Sequence, residues 1–425
     1  MKFLYDLSIY FLVAGIKIAS LFNKKANDSI SGRKNWRNKL KEALKNNHQK
    51  IIWFHISSLG EFEQARPLII QIKTHYPQYK ILITFFSPSG YNAQKNFQYA
   101  DFVFYLPFDT PQNASDFLDI VQPSFVFFVK YEFWINFLIQ LQKRKSHNLK
   151  CFLISSIFRK HQPFFKWYGK IFINALKTFD IIFVQDNLSI RLLKKIGFEK
   201  NIYLSGDTRV DRVVEIAQQH FSSAVIDNFV QQHKTIIAGS TWLNDEKILI
   251  PTLAQLKNHF SLKTIIAPHQ PDDKNISNLI HLLNKYQLSH CKYTEVQNSS
   301  NISVTQYDVM IIDTIGILNK IYRYGYIAYI GGGFSDGIHN ILEPAAYGLP
   351  VVFGKKYQKF YEATELIKNK GAFTISNENE LLEKLYQLFN DEKIYFETQK
   401  SVKEFIYTHQ GGVKKTMQVL EKYLK

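Results

Sequence analysis

Apolar runs alternate with amphipathic stretches along nearly the whole chain. Residues 51–55, 81–86, 102–106, 124–129, 151–155 and 181–184 are short, almost wholly apolar and bounded by turn residues. Such runs read as strands buried on both faces. Helical spacing fills the intervals, at 61–74, where Pro67 predicts a bend or a later start, and from about 133. The pattern pauses near 205–212, and a polar stretch ending in Gln231-Gln232-His233-Lys234 follows. A second series then begins, with strands expected at 235–238, 263–267, 309–312, 326–330 and 351–353. Strand–helix alternation predicts parallel sheets covered by helices on both faces. The expected architecture is α/β, with two nucleotide-binding-type domains, 40–215 and 234–400, facing a cleft, and a closing helix at 401–425. Ligands of such sheets bind beyond the carboxyl ends of the strands.

The first 23 residues stand apart. Positions 3–22 are mostly apolar, with only Asp6 and Lys17 charged, and Lys24, Lys25, Arg33, Lys34, Arg37, Lys39 and Lys41 follow. About 20 apolar residues suffice to cross a bilayer. No small-residue cleavage site is evident. The segment reads as a membrane-anchoring helix over 1–23, either spanning or lying in the interface. The basic flank would keep the body on the cytoplasmic face of the inner membrane.

Of the 425 residues 46% are hydrophobic, enough for two full cores. The two cysteines, Cys151 and Cys291, lie far apart and outside any CxxC spacing, which argues against a disulfide framework or a zinc site. The net charge of +17 favours a polyanionic partner: nucleic acid, anionic lipid or a phosphorylated substrate.

The most informative string is Gly331-Gly332-Gly333-Phe334-Ser335-Asp336-Gly337-Ile338-His339-Asn340-Ile341-Leu342-Glu343-Pro344. It follows an expected strand. Its glycines permit a sharp turn and close approach to a ligand, and Asn340 is placed to start a helix. A helix N-terminus there would hold a phosphate through free N–H groups and the helix dipole. Glu343, one turn in, would accept hydrogen bonds from sugar hydroxyls. The alternative is a tight βα turn with no ligand.

Other candidates also follow strand ends. Glu61, after Ser57-Ser58-Leu59-Gly60, suits a general base, or merely complements a helix dipole. Ser87 opens a Ser-Pro-Ser-Gly turn that binds a sugar or phosphate, or only turns the chain. Lys130 and Glu132 read as a pair, or Glu132 as an orienting group. Ser240 and Thr241, after Gly239, read as a second phosphate turn, and His269 as a phosphate or base contact. Arg209 lies near the expected domain junction, within reach of an anionic donor. No acidic pair suited to a metal appears at a strand end, so neither a metal nor a cofactor is expected.

Taken in order, these pieces resemble one family, the 3-deoxy-D-manno-octulosonate (Kdo) transferases of lipopolysaccharide synthesis. The match is carried by 55–61, 87–91, 132–134, 206–211, 238–241, 313–316 and 331–350. The resemblance implies a glycosyltransferase-B architecture of two Rossmann-like domains. It further implies CMP-Kdo as donor, a lipid A precursor as acceptor, an N-terminal anchor, and metal-independent transfer with inversion. Under it Glu61 matches the catalytic carboxylate, Glu132 an acidic residue near the acceptor, and Ser240, Asn340 and Glu343 CMP-contacting positions. The chain departs from the family where Pro268-His269-Gln270 replaces Pro-Arg-His, and where Gly206-Asp207-Thr208-Arg209 replaces Gly-Asn-x-Lys.

On this reading Glu61 acts as base, with Ser87, Lys130 and Glu132 on the acceptor side. Arg209, Ser240, Thr241, His269, Gly332, Gly333, Asn340 and Glu343 hold the CMP-sugar. The basic, aromatic stretch 159–177 suits a membrane surface and a phosphorylated lipid. Two rivals share some of the evidence. One is a glycosyltransferase of the same architecture that uses a UDP-sugar. The other is a basic nucleic-acid-binding protein, which would leave the cleft carboxylates and the apolar N-terminus unexplained; no nucleic-acid partner is therefore expected.

Overall fold

The computed structural model describes residues 1–130, 133–145, 149–298 and 303–425. It divides into two compact units: Met1–Asp211 with Gly411–Lys425, and Arg212–Gln410.

The first unit is built on a parallel sheet of seven strands. They are β1 (Ile51–Ile56), β2 (Lys80–Phe85), β3 (Phe102–Tyr105), β4 (Phe125–Val129), β5 (Lys150–Ser156), β6 (Ile181–Val184) and β7 (Ile202–Leu204). Their order is β3-β2-β1-β4-β5-β6-β7. Strand β1 runs beside β2, with Ile52 against Ile81, and beside β4, with Ile52 against Phe125. Every residue of β1 and β4 is buried, because helices cover both faces. Burying large side chains such as Trp53, Phe127 and Phe152 gives about 2–3 kcal/mol each.

The second unit repeats the plan with β8 (Lys234–Thr241), β9 (Leu262–Pro268), β10 (His290–Lys292), β11 (Val309–Ile311), β12 (Ile327–Ile330), β13 (Val351–Gly354) and β14 (Ala372–Ile375), ordered β10-β11-β9-β8-β12-β13-β14. The direction of winding reverses between β1 and β4 in one sheet and between β8 and β12 in the other. Such switch points open a crevice at the strands' carboxyl ends.

Three strands, β7, β10 and β14, have no counterpart in the sequence pattern. The first two have three residues each, and β14 is only partly buried, so none carries a long apolar run. The unit bounds also differ from the expected 40–215, 234–400 and 401–425. Position 401 lies inside the Glu392–His409 helix. The last helix, Gly412–Leu424, belongs to the first unit, where Val413, Met417, Leu420 and Leu424 enter the core beside β1. Asp211 fixes its start by accepting the backbone N–H groups of Gly411 and Val413.

The N-terminal segment forms a helix over Lys2–Ala19. Its first turn docks on the first unit. Tyr5 donates its hydroxyl to Asp109 (2.5 Å), while Lys2 and Asp6 both bond the Asn136 side chain. Burial pushes the Asp109 carboxyl up to about 7, against the pull of the Tyr5 hydroxyl and the Asn136 and Phe137 N–H groups. Beyond that turn Ile9 is buried, whereas Phe11, Ile18, Leu21 and Phe22 are exposed. Among the described residues no helix is long and apolar enough to cross a membrane, so the expected anchoring helix is not confirmed. The basic flank is partly turned inward. Buried Arg33 donates to the carbonyls of Leu106, Ser29 and Phe86, and Arg37 pairs with Asp116 at 2.6 Å. Both cysteines are free and buried, and burial pushes each thiol up to about 12.

Candidate functional site

Each switch point gathers functional side chains, and the two are described separately. In the first unit β1 leads into the Leu59–His75 helix, which continues through Pro67 rather than starting after it. Ser58 is its N-cap and Glu61 its third residue, forming a reciprocal capping box. One oxygen of Glu61, Oε2, accepts the N–H groups of Ser57 (2.9 Å) and Ser58 (3.1 Å). The carboxylate is thus fixed at the end of β1 yet remains partly exposed. The dipole-complementing role is met, and the carboxylate keeps an exposed edge.

Beside it, Lys130 directly follows β4 in the left-handed region (φ 59°), and Ser155 near the end of β5 has φ 50°. Non-glycine residues hold that conformation at a cost of about 1–3 kcal/mol, and two neighbouring strand ends carry it. Glu132 lies outside the described residues. Ser87 caps the Pro88–Gln94 helix by accepting the Gly90 N–H at 3.2 Å, with Ser89 Oγ 3.1 Å away. The structure therefore gives Ser87 the turn-forming role.

Arg209 is engaged with a neighbouring carboxylate. Its guanidinium grips Asp207 through Nε (3.0 Å) and a terminal nitrogen (2.6 Å). Gln64 Nε2 reaches the same carboxylate at 3.3 Å. Burial alone would raise the Asp207 carboxyl, but the charge and bonds of Arg209 outweigh it and hold the group below its ordinary range.

In the second unit β8 ends in Ser240 (φ 55°) and Thr241, and Trp242 is the N-cap of the Leu243–Lys257 helix. Thr241 donates its hydroxyl to buried Glu246 at 2.8 Å. Burial pushes Glu246 up to about 7; the Thr241 bond opposes this and the neighbouring Asp245 charge adds to it.

The glycine turn differs from the expected anion cradle. The Gly332 N–H (φ 90°) donates to Asp245 Oδ2 at 2.8 Å, an oxygen that also accepts the Trp242 N–H at 3.0 Å. The glycines are required by backbone packing. A Cβ on Gly331 would lie 2.2 Å from the Ser240 carbonyl oxygen, and one on Gly333 2.5 Å from the Gly354 nitrogen. The following helix, Leu342–Ala346, has only five residues and Ile341 as its N-cap. Its dipole is too short to hold a phosphate by itself. Asn340 instead accepts the Leu342 N–H at 3.1 Å and donates to Glu343 Oε1 at 3.0 Å, presenting the two polar side chains as one unit.

His269, at the end of β9, stacks on His339 with ring centroids 4.0 Å apart, and Trp242 Nε1–H donates to His339 Nε2 at 3.0 Å. Burial holds the His339 imidazole down at about 4, with the neighbouring His269 adding to the effect, and partial desolvation lowers His269 from its ordinary range. The sequence reading missed Asp245 and His339 as site-forming residues. An acidic residue three positions after the helix N-cap that follows a strand is the signal that identifies Asp245. Among the described residues no cluster of His, Cys, Asp or Glu is placed to hold a metal.

The basic, aromatic stretch splits. Phe164 is buried with Phe165 and Phe172 packed about it, whereas Trp167 is 95% exposed.

Residues 34–212 match the family described as 3-deoxy-D-manno-octulosonic-acid transferase (kdotransferase). The chain is 28% identical to the 3-deoxy-D-manno-octulosonic acid transferase of Aquifex aeolicus, over 83% of this chain and 90% of that one. In fold it is similar to a glycosyltransferase from Rickettsia africae (TM-score 0.57, 11% identity, 89% of this chain and 99% of that one). It is equally similar to the UDP-GlcNAc 2-epimerase of Neisseria meningitidis bound to UDP-GlcNAc (TM-score 0.60, 14% identity, 88% and 100%). The architecture is therefore shared with glycosyltransferases of the B type and with epimerases, and does not choose a reaction by itself.

Proposed function

We propose that the chain is a Kdo transferase, a reading supported by the family match over 34–212 and by the 28% identity to the Aquifex aeolicus enzyme, and that it moves Kdo from CMP-Kdo to a phosphorylated lipid A precursor with inversion. The observation that carries this reading is Glu61, a partly exposed carboxylate held by two backbone N–H groups at the switch point of the first sheet. An acceptor hydroxyl attacks the anomeric carbon of Kdo on the face opposite the phosphate. The new C–O bond forms as the bond to CMP breaks, the bonding pair leaves with the phosphate, and the hydroxyl proton passes to Glu61. Lys130 supplies positive charge beside it for an anionic acceptor. On the donor side, Ser240, His269 and the Asn340–Glu343 pair serve the nucleotide and its ribose, while Asp245, Thr241, Gly332 and Gly333 hold the loop that carries them.

Incubation with CMP-Kdo and a tetra-acylated, phosphorylated lipid A precursor, followed by mass analysis, tests the reading. The expected product is the acceptor plus Kdo. Transfer from a UDP-sugar, with none from CMP-Kdo, would move the chain to the rival reaction.

We further propose that the body attaches to the cytoplasmic face of the inner membrane through the exposed apolar part of the Lys2–Ala19 helix, lying in the interface. Since Tyr5 and Asp6 are tied into the first unit, substitution is a cleaner test than deletion. Phe11→Glu with Phe22→Glu should abolish flotation with anionic vesicles while thermal stability stays unchanged. Undiminished flotation would remove the helix from that role.

A further inference from the structure

Three neighbouring strands of the second sheet, β9, β8 and β12, deliver aromatic rings to their carboxyl ends: His269, Trp242 and, within the glycine turn, His339. The ring centroids lie 4.0 Å apart for His269–His339, 4.8 Å for Trp242–His269 and 6.4 Å for Trp242–His339. These separations make about a right angle at His269. Trp242 therefore stands beside the imidazole pair, and the face of His269 opposite His339 is covered by neither ring. The assembly is fixed from below. Trp242 Nε1–H donates to His339 Nε2, the His269 N–H donates to the Thr241 carbonyl at 2.9 Å, and Asp245 holds the Trp242 N–H. His339 is partly buried, whereas His269 is exposed. The outer ring is thus a pre-oriented aromatic surface at the switch point.

We propose that the outward face of His269 is the stacking platform for the nucleobase of the donor. The proposal rests on the reading of the second unit as a nucleotide site and adds what receives the planar ring. Base-on-aromatic stacking tolerates any base and needs no particular ring nitrogen. The platform therefore supplies affinity, while discrimination among bases comes from polar contacts elsewhere.

The test measures the full chain's affinity for CMP and for ribose 5-phosphate, a probe lacking the base, in the natural protein, His269→Ala and His269→Phe. Loss of the platform in His269→Ala should weaken CMP about five- to 150-fold, the equivalent of one base stack, and leave ribose 5-phosphate unchanged. Phe keeps a flat ring without its nitrogens, so His269→Phe should restore CMP binding. Equal loss of CMP in both variants would overturn stacking in favour of an imidazole hydrogen bond. An unchanged His269→Ala would remove the residue from the site, and equal weakening of both probes would make its role structural. If the natural chain binds CMP with this dependence yet transfers no Kdo, the platform stands and the proposed reaction falls. If it binds no CMP, both fall.

Discussion

In the first unit β1 runs into a helix with N-cap Ser58 and third residue Glu61; in the second, β8 runs into one with N-cap Trp242 and third residue Asp245. Both helices carry a proline at the same step, Pro67 and Pro251. Both acidic residues accept the backbone N–H of their own N-cap. Their surroundings differ. Asp245 is fully buried, its second bond reaches across to Gly332 on the neighbouring strand's loop, and Tyr329 donates from below at 3.4 Å. Glu61 bonds Ser57 and Ser58 next to itself and keeps partial exposure. One device thus yields two outcomes. Where the carboxylate is buried and its bonds span two strands, it builds a loop; where it bonds its own helix start and stays partly exposed, it suits the proton transfer proposed for it.

The sharpest way to break this contrast is Glu61→Gln. The amide keeps the size of the side chain but removes its basicity. Transfer should fall about a hundred- to ten-thousand-fold, with CMP affinity near that of the natural protein. Activity within a few-fold would make both boxes structural. Asp245→Ala should do the reverse, leaving the Gly332 and Trp242 N–H groups without their acceptor. A loss of about 3 kcal/mol is expected, read from urea midpoints at constant m-value, together with weaker CMP binding. An unchanged midpoint would show that the loop holds itself.

Glu246 sharpens the comparison through pH. Its folded carboxyl sits at about 7 against 4.5 unfolded, chiefly from burial. The folded state then binds the proton more tightly. The stability this contributes is complete below the unfolded value and is lost as pH rises toward 7. Between about pH 5 and 8 the natural chain should lose on the order of 2–3 kcal/mol relative to Glu246→Gln, in parallel urea titrations. Parallel profiles would mean that Glu246 is solvated. The smallest effect concerns chelation: EDTA should leave transfer unchanged, since the carboxylates of both boxes are engaged with backbone rather than grouped as ligands. Loss reversed by magnesium would overturn that assignment.

Most of the strands were legible because helices cover both faces, so each long strand appears as an unbroken apolar run. The short ones, β7 and β10, hold too few residues to show a period. The position of Glu61 was legible from its place after β1. The glycine turn was misread in one respect. Three glycines signal that something approaches closely, and here the approaching group is the backbone of Ser240 and Gly354. The pairing of Arg209 with Asp207, two residues before it, was not legible, because a cation near a glycine gives no sign of what it binds. The His269–His339 stack joins residues 70 apart in sequence, a pairing that only the sheet order creates.

The two cysteines have a practical consequence. Thiol reagents attack the thiolate of an accessible side chain, and Cys151 and Cys291 are buried with thiols pushed up to about 12. The natural chain therefore already serves as a silent background for single-site labelling. A cysteine placed at Trp167 in the first unit or Tyr407 in the second, both highly exposed, would take a maleimide dye alone, with neither native sulfur removed.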